Sequence, residues 1–508
     1  SLCAMKHVGV NVAADPIFTA AYNGVGGGFV VVSADDPSMH SSQNEQDNRH
    51  YARAARLAMI EPSDSQECLD FMQDAYEISE KFDLPVLYRI TTRVSHSKSL
   101  VRFGERTEKA VPPYARNIRK FVSSPGNAYL NHAKVEENLR ALEEYACTSR
   151  LNRMELNGGK VGVVTASIAY EYAKDAFPED TSFLKLGITN PLPMALIREF
   201  ASKVEKLYVI EELDPFMEEQ IRAAGIPCTG KELTGKLYEL NPQLLRERIF
   251  GDAPKTVDVG VTPVSRPPAL CPGCPPRGFF YTMSRHKDFV VAGDIGCYTL
   301  GAAAPLAAID TTICMGASVS GLHGFNKASG EKNAANTVAV IGDSTFMHSG
   351  VTGLINIAYN ESTSTVIILD NSITGMTGHQ QNPTTGFNLK GDPCTKIDLE
   401  ALCHAVGILR VQVVDPYDLA ACDKAIKEEL AANEPSVIIS RRPCALLKYV
   451  KHPGPIEAKP EKCVGCKACM KLGCPAISVM GGKVQIDNTL CTGCGLCRQL
   501  CRKGALGE

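Results

Sequence analysis

Short β-branched apolar runs alternate with amphipathic stretches along much of the chain, which is the pattern of an α/β protein. Residues 337–341 and 365–369 have the composition of buried strands, and a helical pattern covers about 349–360 between them. Strand, helix and strand in this length predict a right-handed crossover, so both strands should end at the same edge of a parallel sheet. The same alternation occurs earlier, between residues 160 and 210.

Three changes in composition divide the chain. The clearest is a proline- and glycine-rich segment at 452–460, a second lies near 251–268, and a third is placed in the Arg/Glu-rich stretch 140–153. A length of 508 residues is too great for one hydrophobic core. We therefore expect four parts.

Two features of the first half are predicted to carry no chemistry. The glycine run 24–28 is followed by Phe29, so it fails as a phosphate-binding loop and is expected to be a turn before a strand at 29–33. The second part holds no cluster of catalytic residue types. Its acidic pairs are expected on solvated faces, namely Glu211, Glu212, Glu218 and Glu219.

Composition and charge exclude several classes of protein. Hydrophobic residues make up 44% and charged residues 21%, which is ordinary for a globular protein, and the net charge is −3. That charge leaves no footprint for nucleic acid or an anionic membrane, and the longest apolar runs are too short to span a bilayer. No signal peptide is recognisable, so the expected location is the cytoplasm. In that compartment, twenty cysteines indicate metal or redox chemistry.

Eight of the cysteines form two similar runs near the C-terminus. Cys463-x2-Cys466-x2-Cys469-x4-Cys474-Pro is followed, 28 residues later, by Cys491-x2-Cys494-x2-Cys497-x3-Cys501. In two-cluster ferredoxins three closely spaced thiolates hold one [4Fe–4S] cluster, and the remote fourth cysteine ligates the other. This spacing predicts two clusters, with cluster 1 on Cys463, Cys466, Cys469 and Cys501 and cluster 2 on Cys491, Cys494, Cys497 and Cys474.

Zinc sites and disulfides are the alternatives for these eight cysteines. Zinc sites need four ligands each and give no reason for triplets at a spacing of three. The first run also departs from the usual spacing, because four residues rather than three separate Cys469 from Cys474. We expect the extra residue to enlarge one loop without removing a ligand.

A second kind of site is predicted where the two strands of the crossover end. Asp343 follows the first strand and Asn371 the second, so the two should converge at one sheet edge, with the Ile373 carbonyl as a third oxygen. Mg²⁺ held by few protein oxygens usually keeps phosphate oxygens in its remaining positions, so the implied ligand is a diphosphate. A capped turn is the alternative for Gly-Asp-Ser alone, and the second polar residue makes it less plausible.

These motifs together resemble a known family. Gly342-Asp343-Ser344 followed by Asn371 resembles the thiamine diphosphate motif. Three further segments resemble the alpha subunit of the indolepyruvate ferredoxin oxidoreductase family: Cys271-Pro-Gly-Cys274, Gly293-Asp-Ile-Gly-Cys297 and Met376-Thr-Gly-His-Gln380. The segments 5–9 and 34–43 do so too, and the resemblance covers essentially the whole chain.

The resemblance implies a multidomain α/β fold with thiamine diphosphate-binding doubly wound domains. Its expected parts are an N-terminally incomplete pyrimidine-binding domain at 1–140, a transketolase C-terminal-like domain at 150–250, a diphosphate- and Mg²⁺-binding domain at 261–450 and a 2[4Fe–4S] ferredoxin-like domain at 457–508. It also adds residues to the expected cofactor site, namely Gly342, Ser344, Asp294 and Gly296.

The implied activity is oxidative decarboxylation of an aryl 2-oxo acid with coenzyme A to acyl-CoA and CO₂. Electrons would pass through the clusters to ferredoxin, and a smaller beta subunit would be the partner. The alternatives are the same chemistry on another 2-oxo acid, a thiamine-dependent decarboxylase or carboligase with a vestigial ferredoxin tail, and a non-catalytic iron–sulfur subunit. The eight spaced cysteines speak against the vestigial tail, and the Asp343/Asn371 pair speaks against the non-catalytic subunit.

Further expectations concern the substrate pocket and the cofactor. By resemblance, His7 and His40 are candidates for the substrate pocket, and solvated loop histidines are the alternative. Arg93 could bind a substrate carboxylate through two hydrogen bonds, and an ordinary salt bridge is equally plausible. The family places a cofactor-activating glutamate upstream of Met5, so we expect that the sequence lacks an N-terminal segment containing it.

A third cluster is also possible. Related pyruvate oxidoreductases hold a cluster beside the thiazolium on four cysteines similar to a set in this chain: Cys271, Cys274, Cys297 and Cys444. The alternatives are that these are buried apolar thiols, that the indolepyruvate family has lost this cluster, and that Cys-Pro-Gly-Cys is simply a tight turn.

Overall fold

The computed structural model describes residues 1–106, 108, 113, 115–252, 257–330 and 334–507. The chain divides into two compact units, Ser1–Val261 and Thr262–Glu508. The division falls inside the second predicted break, 251–268. The finer division into four domains stays a prediction.

The N-terminal unit contains two sheets with helices packed on them. Its strands are β1 (Leu2–Lys6), β2 (Val30–Asp35), β3 (Ala58–Ile60), β4 (Val86–Thr91), β5 (Arg153–Glu155), β6 (Val161–Ala166), β7 (Ser182–Leu186), β8 (Ile188–Asn190) and β9 (Lys206–Ile210). Its helices are α1 (His7–Val12), α2 (Ala14–Asn23), α3 (Arg49–Ala55), α4 (Ser65–Phe82), α5 (Thr92–His96), α6 (Ile118–Phe121), α7 (Pro125–Thr148), α8 (Ile168–Ala176), α9 (Met194–Ala201), α10 (Phe216–Ala223), α11 (Lys231–Thr234) and α12 (Pro242–Leu245).

The two sheets of this unit are largely parallel. One has the order β1-β2-β4-β3-β8 and the other β5-β7-β6-β9, and in each the antiparallel strand is at an edge. Val31 and Leu87 of the first sheet share a core with Val164 and Leu184 of the second. The third predicted break, 140–153, is not a linker at its start, because α7 continues through Arg140 to Thr148.

The prediction that the acidic pairs of the second part are solvated was wrong for three of the four. Glu211, Glu212 and Glu218 are all at most 6% exposed, and only Glu219 is exposed. Glu211 pairs with the Arg49 guanidinium at 2.5 Å and accepts hydrogen bonds from the backbone N–H groups of α10. The cost of burying the carboxylate is offset by these partners, and Arg49 lies 162 residues earlier in the chain.

The C-terminal unit is built on one parallel sheet. Its strands are β10 (Val290–Gly293), β11 (Thr311–Thr312), β12 (Thr337–Gly342), β13 (Thr365–Asp370), β14 (Arg410–Val414), β15 (Ser436–Arg441), β16 (Ile477–Met480) and β17 (Lys483–Ile486). Its helices are α13 (Pro276–Met283), α14 (Ala317–Ala328), α15 (Asp343–Thr345), α16 (Val351–Tyr359), α17 (Leu399–Ala405), α18 (Leu419–Ala431) and α19 (Leu496–Leu500).

The sheet order is β11-β10-β12-β13-β15-β14 with every pair parallel, as a doubly wound domain requires. All residues of β12 and β13 are buried, so helices must cover both faces. Val338 and Val340 face one core with α13 and α18, whereas Ala339 and Ile341 face another with α14, α16 and α17.

The cysteine-rich C-terminal segment packs on one face of this sheet domain. It contains the antiparallel hairpin β16-β17 and contributes Leu472, Leu496 and Leu506 to the same core as Phe279 and Phe280 of α13. The proline-rich segment 452–460 therefore connects two parts of one packed unit. Among the described residues, no helix combines the length and apolarity needed to cross a membrane.

Candidate active site and cysteine clusters

The carboxyl edge of the central parallel sheet brings the two predicted metal ligands together. β12 and β13 are hydrogen-bonded neighbours, with Gly342 opposite Leu369 in the register. Asp343 begins α15 directly after β12, and Asn371 follows the last residue of β13. The prediction that both side chains lie at one edge therefore agrees with the topology.

Asp343 is a buried carboxylate without a cationic partner. It is 3% exposed and accepts hydrogen bonds from the Thr384 hydroxyl at 3.1 Å and the Ser344 N–H at 2.8 Å. No ion pair between described residues includes Asp343, whereas its neighbour Asp370 pairs with Arg441 at 2.9 Å. Burial, followed by the charge of Asp370, raises the pKa of Asp343 to about 7. A divalent cation would relieve this desolvated charge, so the residues fit Mg²⁺.

Asn371 connects this edge to a cysteine. Its side-chain oxygen accepts the Ile373 N–H at 3.2 Å, and its backbone carbonyl accepts the N–H of Cys444 at 2.9 Å. A Cβ built on Gly375 would lie 3.5 Å from the Cys297 sulfur. The predicted metal site and part of the possible third cysteine set are therefore adjacent.

Asp294 and Gly296 follow the carboxyl end of β10, the strand next to β12 in the sheet. The Asp294 carboxylate is fully buried and accepts the N–H groups of Gly316 and Ser318 at 2.9–3.1 Å, so it anchors the start of α14. A Cβ on either Gly296 or Gly342 would approach the ring of Tyr298 within 2.6 Å. The structure thus gives these residues packing roles at the sheet edge, and their predicted contacts to a cofactor stay a prediction.

The first cysteine set lines one cavity of about 540 Å³. Its members are Cys463, Cys466, Cys469 and Cys501. The sulfurs of two of them accept backbone hydrogen bonds, Cys463 from the Val484 N–H at 3.3 Å and Cys501 from the Ala505 N–H at 3.2 Å. Hydrogen bonds of this kind to sulfur are among the features that tune iron–sulfur sites.

The second cysteine set lines a separate cavity. Its members are Cys474, Cys491, Cys494 and Cys497. The extra residue before Cys474 is absorbed by a 3₁₀ turn, Ala468–Leu472, which ends at Gly473 in the left-handed conformation. Both cavities therefore contain the grouping that the spacing predicts, in which each run contributes its last cysteine to the other set.

In the described part of the chain the cysteines form neither disulfides nor a compact tetrahedral group. All twenty thiols are free. A tetrahedral zinc–thiolate site with bonds of about 2.3 Å would hold its sulfurs about 3.8 Å apart. Across the described part of the chain, no three cysteine sulfurs lie within 4.8 Å of one another.

The possible third set is also brought together. Cys271 and Cys274 precede α13, Cys297 begins a 3₁₀ helix after β10, and Cys444 follows β15. Burial is the main cause that raises the pKa of the Cys274 thiol. The charges of Cys271, Cys297 and Cys444 raise it further, so the four cysteines lie near one another. Binding of a cluster by these four stays a prediction.

Arg277 is a residue that sequence reasoning missed. Its guanidinium is 1% exposed and donates to the carbonyls of Leu270 and Cys271 and, at 2.6 Å, to that of Leu472. It therefore joins the third-set loop to the loop that carries the first cysteine run. A buried arginine leaves no periodic signal in a sequence. The one available signal was the position of Arg277, three residues after Cys274.

The predicted substrate residues lie in the N-terminal unit. His7 follows β1, is fully buried, and has no hydrogen-bond partner on either ring nitrogen among the described residues. Arg93 and His40 both reach the Glu239 carboxylate, Arg93 through two hydrogen bonds and His40 at 3.2 Å. Arg93 thus forms an ordinary salt bridge in this structure, and its partner Glu239 was not predicted. A substrate role for the three stays a prediction.

Comparison with known proteins gives the class. Residues 294–440 match the family model "Thiamine pyrophosphate enzyme, C-terminal TPP binding domain", and residues 484–507 match "4Fe-4S binding domain". A thiamine diphosphate fold whose chain also carries a ferredoxin-type iron–sulfur domain defines the alpha subunit of a 2-oxoacid:ferredoxin oxidoreductase.

Full-length relatives give the family. The chain is 40% identical to indolepyruvate oxidoreductase subunit IorA of Methanothermobacter thermautotrophicus, over 99% of this chain and 85% of that protein. It is 39% identical to the subunit of the same name from Archaeoglobus fulgidus and 38% to that of Pyrococcus horikoshii, with coverage of 85% and 86% of those proteins. The chain belongs to the indolepyruvate oxidoreductase subunit IorA family.

Proposed function

We propose that this chain oxidatively decarboxylates aryl 2-oxo acids of the indolepyruvate kind, with coenzyme A as acyl acceptor and ferredoxin as electron acceptor. The products would be acyl-CoA and CO₂, and a smaller beta subunit would complete the enzyme. The observation that carries the proposal is the buried, uncompensated Asp343 carboxylate in the same compact unit as three groups of cysteines. The names of the full-length relatives support the indolepyruvate preference.

The chain's own residues have distinct parts in this function. Asp343, Asn371 and the Ile373 carbonyl would hold Mg²⁺, and Gly342 and Ser344 would lie against the diphosphate. Thiamine diphosphate, when bound, supplies the electron sink that 2-oxo acid decarboxylation requires. Asp294 positions the start of α14 beside this edge through its backbone hydrogen bonds.

Electron transfer is the task of the cysteines. The first and second sets would each hold a [4Fe–4S] cluster, and the third set would hold another beside the metal site. The third set supports this proposal by its position, because Cys444 donates its N–H to Asn371 at the cofactor edge. His7, His40 and Arg93 would bind the substrate.

Three measurements test the proposal. Three clusters correspond to about twelve irons per chain and two to about eight, so iron analysis decides the third set. Thiamine released on denaturation separates an enzyme from a non-catalytic electron-transfer subunit, which would contain none. Steady-state rates with the beta subunit on indolepyruvate, pyruvate and 2-oxoglutarate then test the substrate, and a preference for either of the latter two would refute the aryl assignment.

A further inference from the structure

Several cationic side chains line the cavity of the first cysteine set. Besides the four cysteines, the cavity is lined by five basic side chains and by no aspartate or glutamate. We call these five the cationic rim: Arg285, Lys467, Lys471, Arg502 and Lys503. They come from the end of α13 and from both cysteine runs, so the rim is assembled by the fold.

The rim is exposed and its charges are uncompensated. All five side chains belong to exposed residues, and no ion pair between described residues includes any of them. Residues 457–507 contain eight lysines and arginines against three carboxylates, whereas the whole chain has a net charge of −3. An oxidised [4Fe–4S] cluster with four thiolates carries a charge of about −2, which five cations exceed.

A small apolar spot lies inside the rim. Cys466 is exposed, and Val464, two residues before it, is 63% exposed. A redox centre near the surface, a little apolar area and a field of one sign are what a transient electron-transfer encounter needs, because steering raises the association rate while the small contact area keeps the complex short-lived.

The first set lies at the end of a series of neighbouring groups that begins at the third set. The cavity of the second set is lined by Pro272 and Gly273 from the loop of the third set, and a Cβ on Gly273 would meet the side chain of Thr492. Cys469 of the first set and Cys497 of the second belong to the same buried core. The second set is therefore next to the third, the first set is next to the second, and the cationic rim borders the first.

We propose that the cationic rim is the docking surface for a small acidic electron-transfer protein, the ferredoxin of the proposed function, on which this inference rests. Cys463, Cys466, Cys469 and Cys501 would hold the cluster that supplies the electron, and its oxidation by one electron would balance the reduction of the acceptor's cluster by one electron. No bond forms and no proton moves. The acceptor is recognised by carboxylates around its own cluster.

The test is a pair of charge-matched double variants in the complete enzyme. Lys467→Glu/Arg502→Glu reverses two charges of the rim. Lys160→Glu/Lys203→Glu makes the same change in net charge at surface lysines of the N-terminal unit, which form exposed pairs with Glu205 and Glu199. The readouts are the KM for an acidic 2[4Fe–4S] ferredoxin, the rate with methyl viologen, and the iron content.

The rim variant should raise the KM for ferredoxin at least ~10-fold at low ionic strength, and the difference should disappear near ~1 M salt, where the Debye length is about 3 Å. Its methyl viologen rate and iron content should equal those of the wild type, and the control should match the wild type throughout. Equal KM values for the two variants would overturn the proposal, and so would a rim variant that is slowed equally with both acceptors.

Two further readouts distinguish failure of this docking proposal from loss of the cluster and from failure of the proposed function. If the rim variant loses iron, the salt dependence of the wild-type enzyme tests the proposal instead. A KM for ferredoxin that stays constant between ~0.05 and ~0.5 M salt would refute electrostatic docking. If the wild type reduces neither acceptor with any 2-oxo acid, the proposed function fails instead. Salt-dependent binding of ferredoxin to the dithionite-reduced protein then still tests the rim.

Discussion

Binding of Mg²⁺ with thiamine diphosphate should release a proton from Asp343. The carboxyl group has its pKa raised to about 7 by burial, and to a lesser degree by the charge of Asp370. Because a metal ligand must be ionised, binding displaces the proton wherever one is present. A pKa of about 7 gives about 0.9 protons released per site at pH 6, about 0.5 at pH 7 and about 0.1 at pH 8.

The same shift gives the direction of two pH dependences. The apparent affinity for the metal should fall about tenfold between pH 8 and pH 6, since protons compete for the carboxylate. The folding stability of the metal-free protein changes with pH in the opposite direction. A raised pKa stabilises the folded state fully below the unfolded value of 3.8, and this contribution, up to about 4 kcal/mol, is lost as the pH rises through about 7.

The assay is calorimetric titration in two buffers of different ionisation enthalpy, which yields the number of protons released. The matched variant is Asp370→Asn, because removing the like charge should lower the Asp343 pKa and reduce the release at pH 7, while the ionisation of the ligand itself is unchanged. Asp343→Asn should lose cofactor retention and keep its iron. Equal release at pH 6 and pH 8, or normal thiamine content in Asp343→Asn, would refute the reasoning.

Three other outcomes are expected. Cys474→Ser should alter the electron paramagnetic resonance signal of the second cluster and leave the first, although Cys474 belongs to the first run; the reverse would contradict the crossed grouping. Glu239→Gln frees Arg93, so the KM for the 2-oxo acid should fall severalfold if Arg93 binds the substrate carboxylate, and an unchanged KM would exclude that role. Gly473→Ala should cost more than Gly481→Ala, measured by the unfolding midpoint, because both glycines have positive φ but only at Gly473 does the added Cβ meet Pro305, at 2.7 Å. Equal costs would refute the steric argument.

The features that sequence predicted well depend on short-range rules. The Asp343/Asn371 edge follows from a strand–helix–strand unit whose handedness and parallel pairing are nearly fixed by its length. The two C-terminal cysteine groups follow from ligand spacing, and the stretched loop before Cys474 did not disturb them because a 3₁₀ turn and Gly473 take up the extra residue.

The features that sequence did not predict depend on distant partners. Glu211 reads as a surface residue because the arginine that neutralises it is 162 positions away. Arg277 and Glu239 escape notice for the same reason, because their partners Leu472 and Arg93 lie 195 and 146 positions away. His7 remains the opposite case, a buried polar side chain for which the described residues provide no hydrogen-bond partner.

The packing of the cysteine-rich segment links its stability to electron transfer. A segment of this size with eight cysteines cannot build a sufficient core alone. It therefore shares the core of α13, through Leu472 and Leu496 against Phe279 and Phe280. The loop before α13 carries Cys271 and Cys274, and Arg277 in its first turn binds the carbonyl of Leu472. The contacts that hold the segment in place are consequently those that fix the second cysteine set against the third. A substitution that loosened this interface would lower stability and also lengthen the route by which electrons leave the cofactor edge.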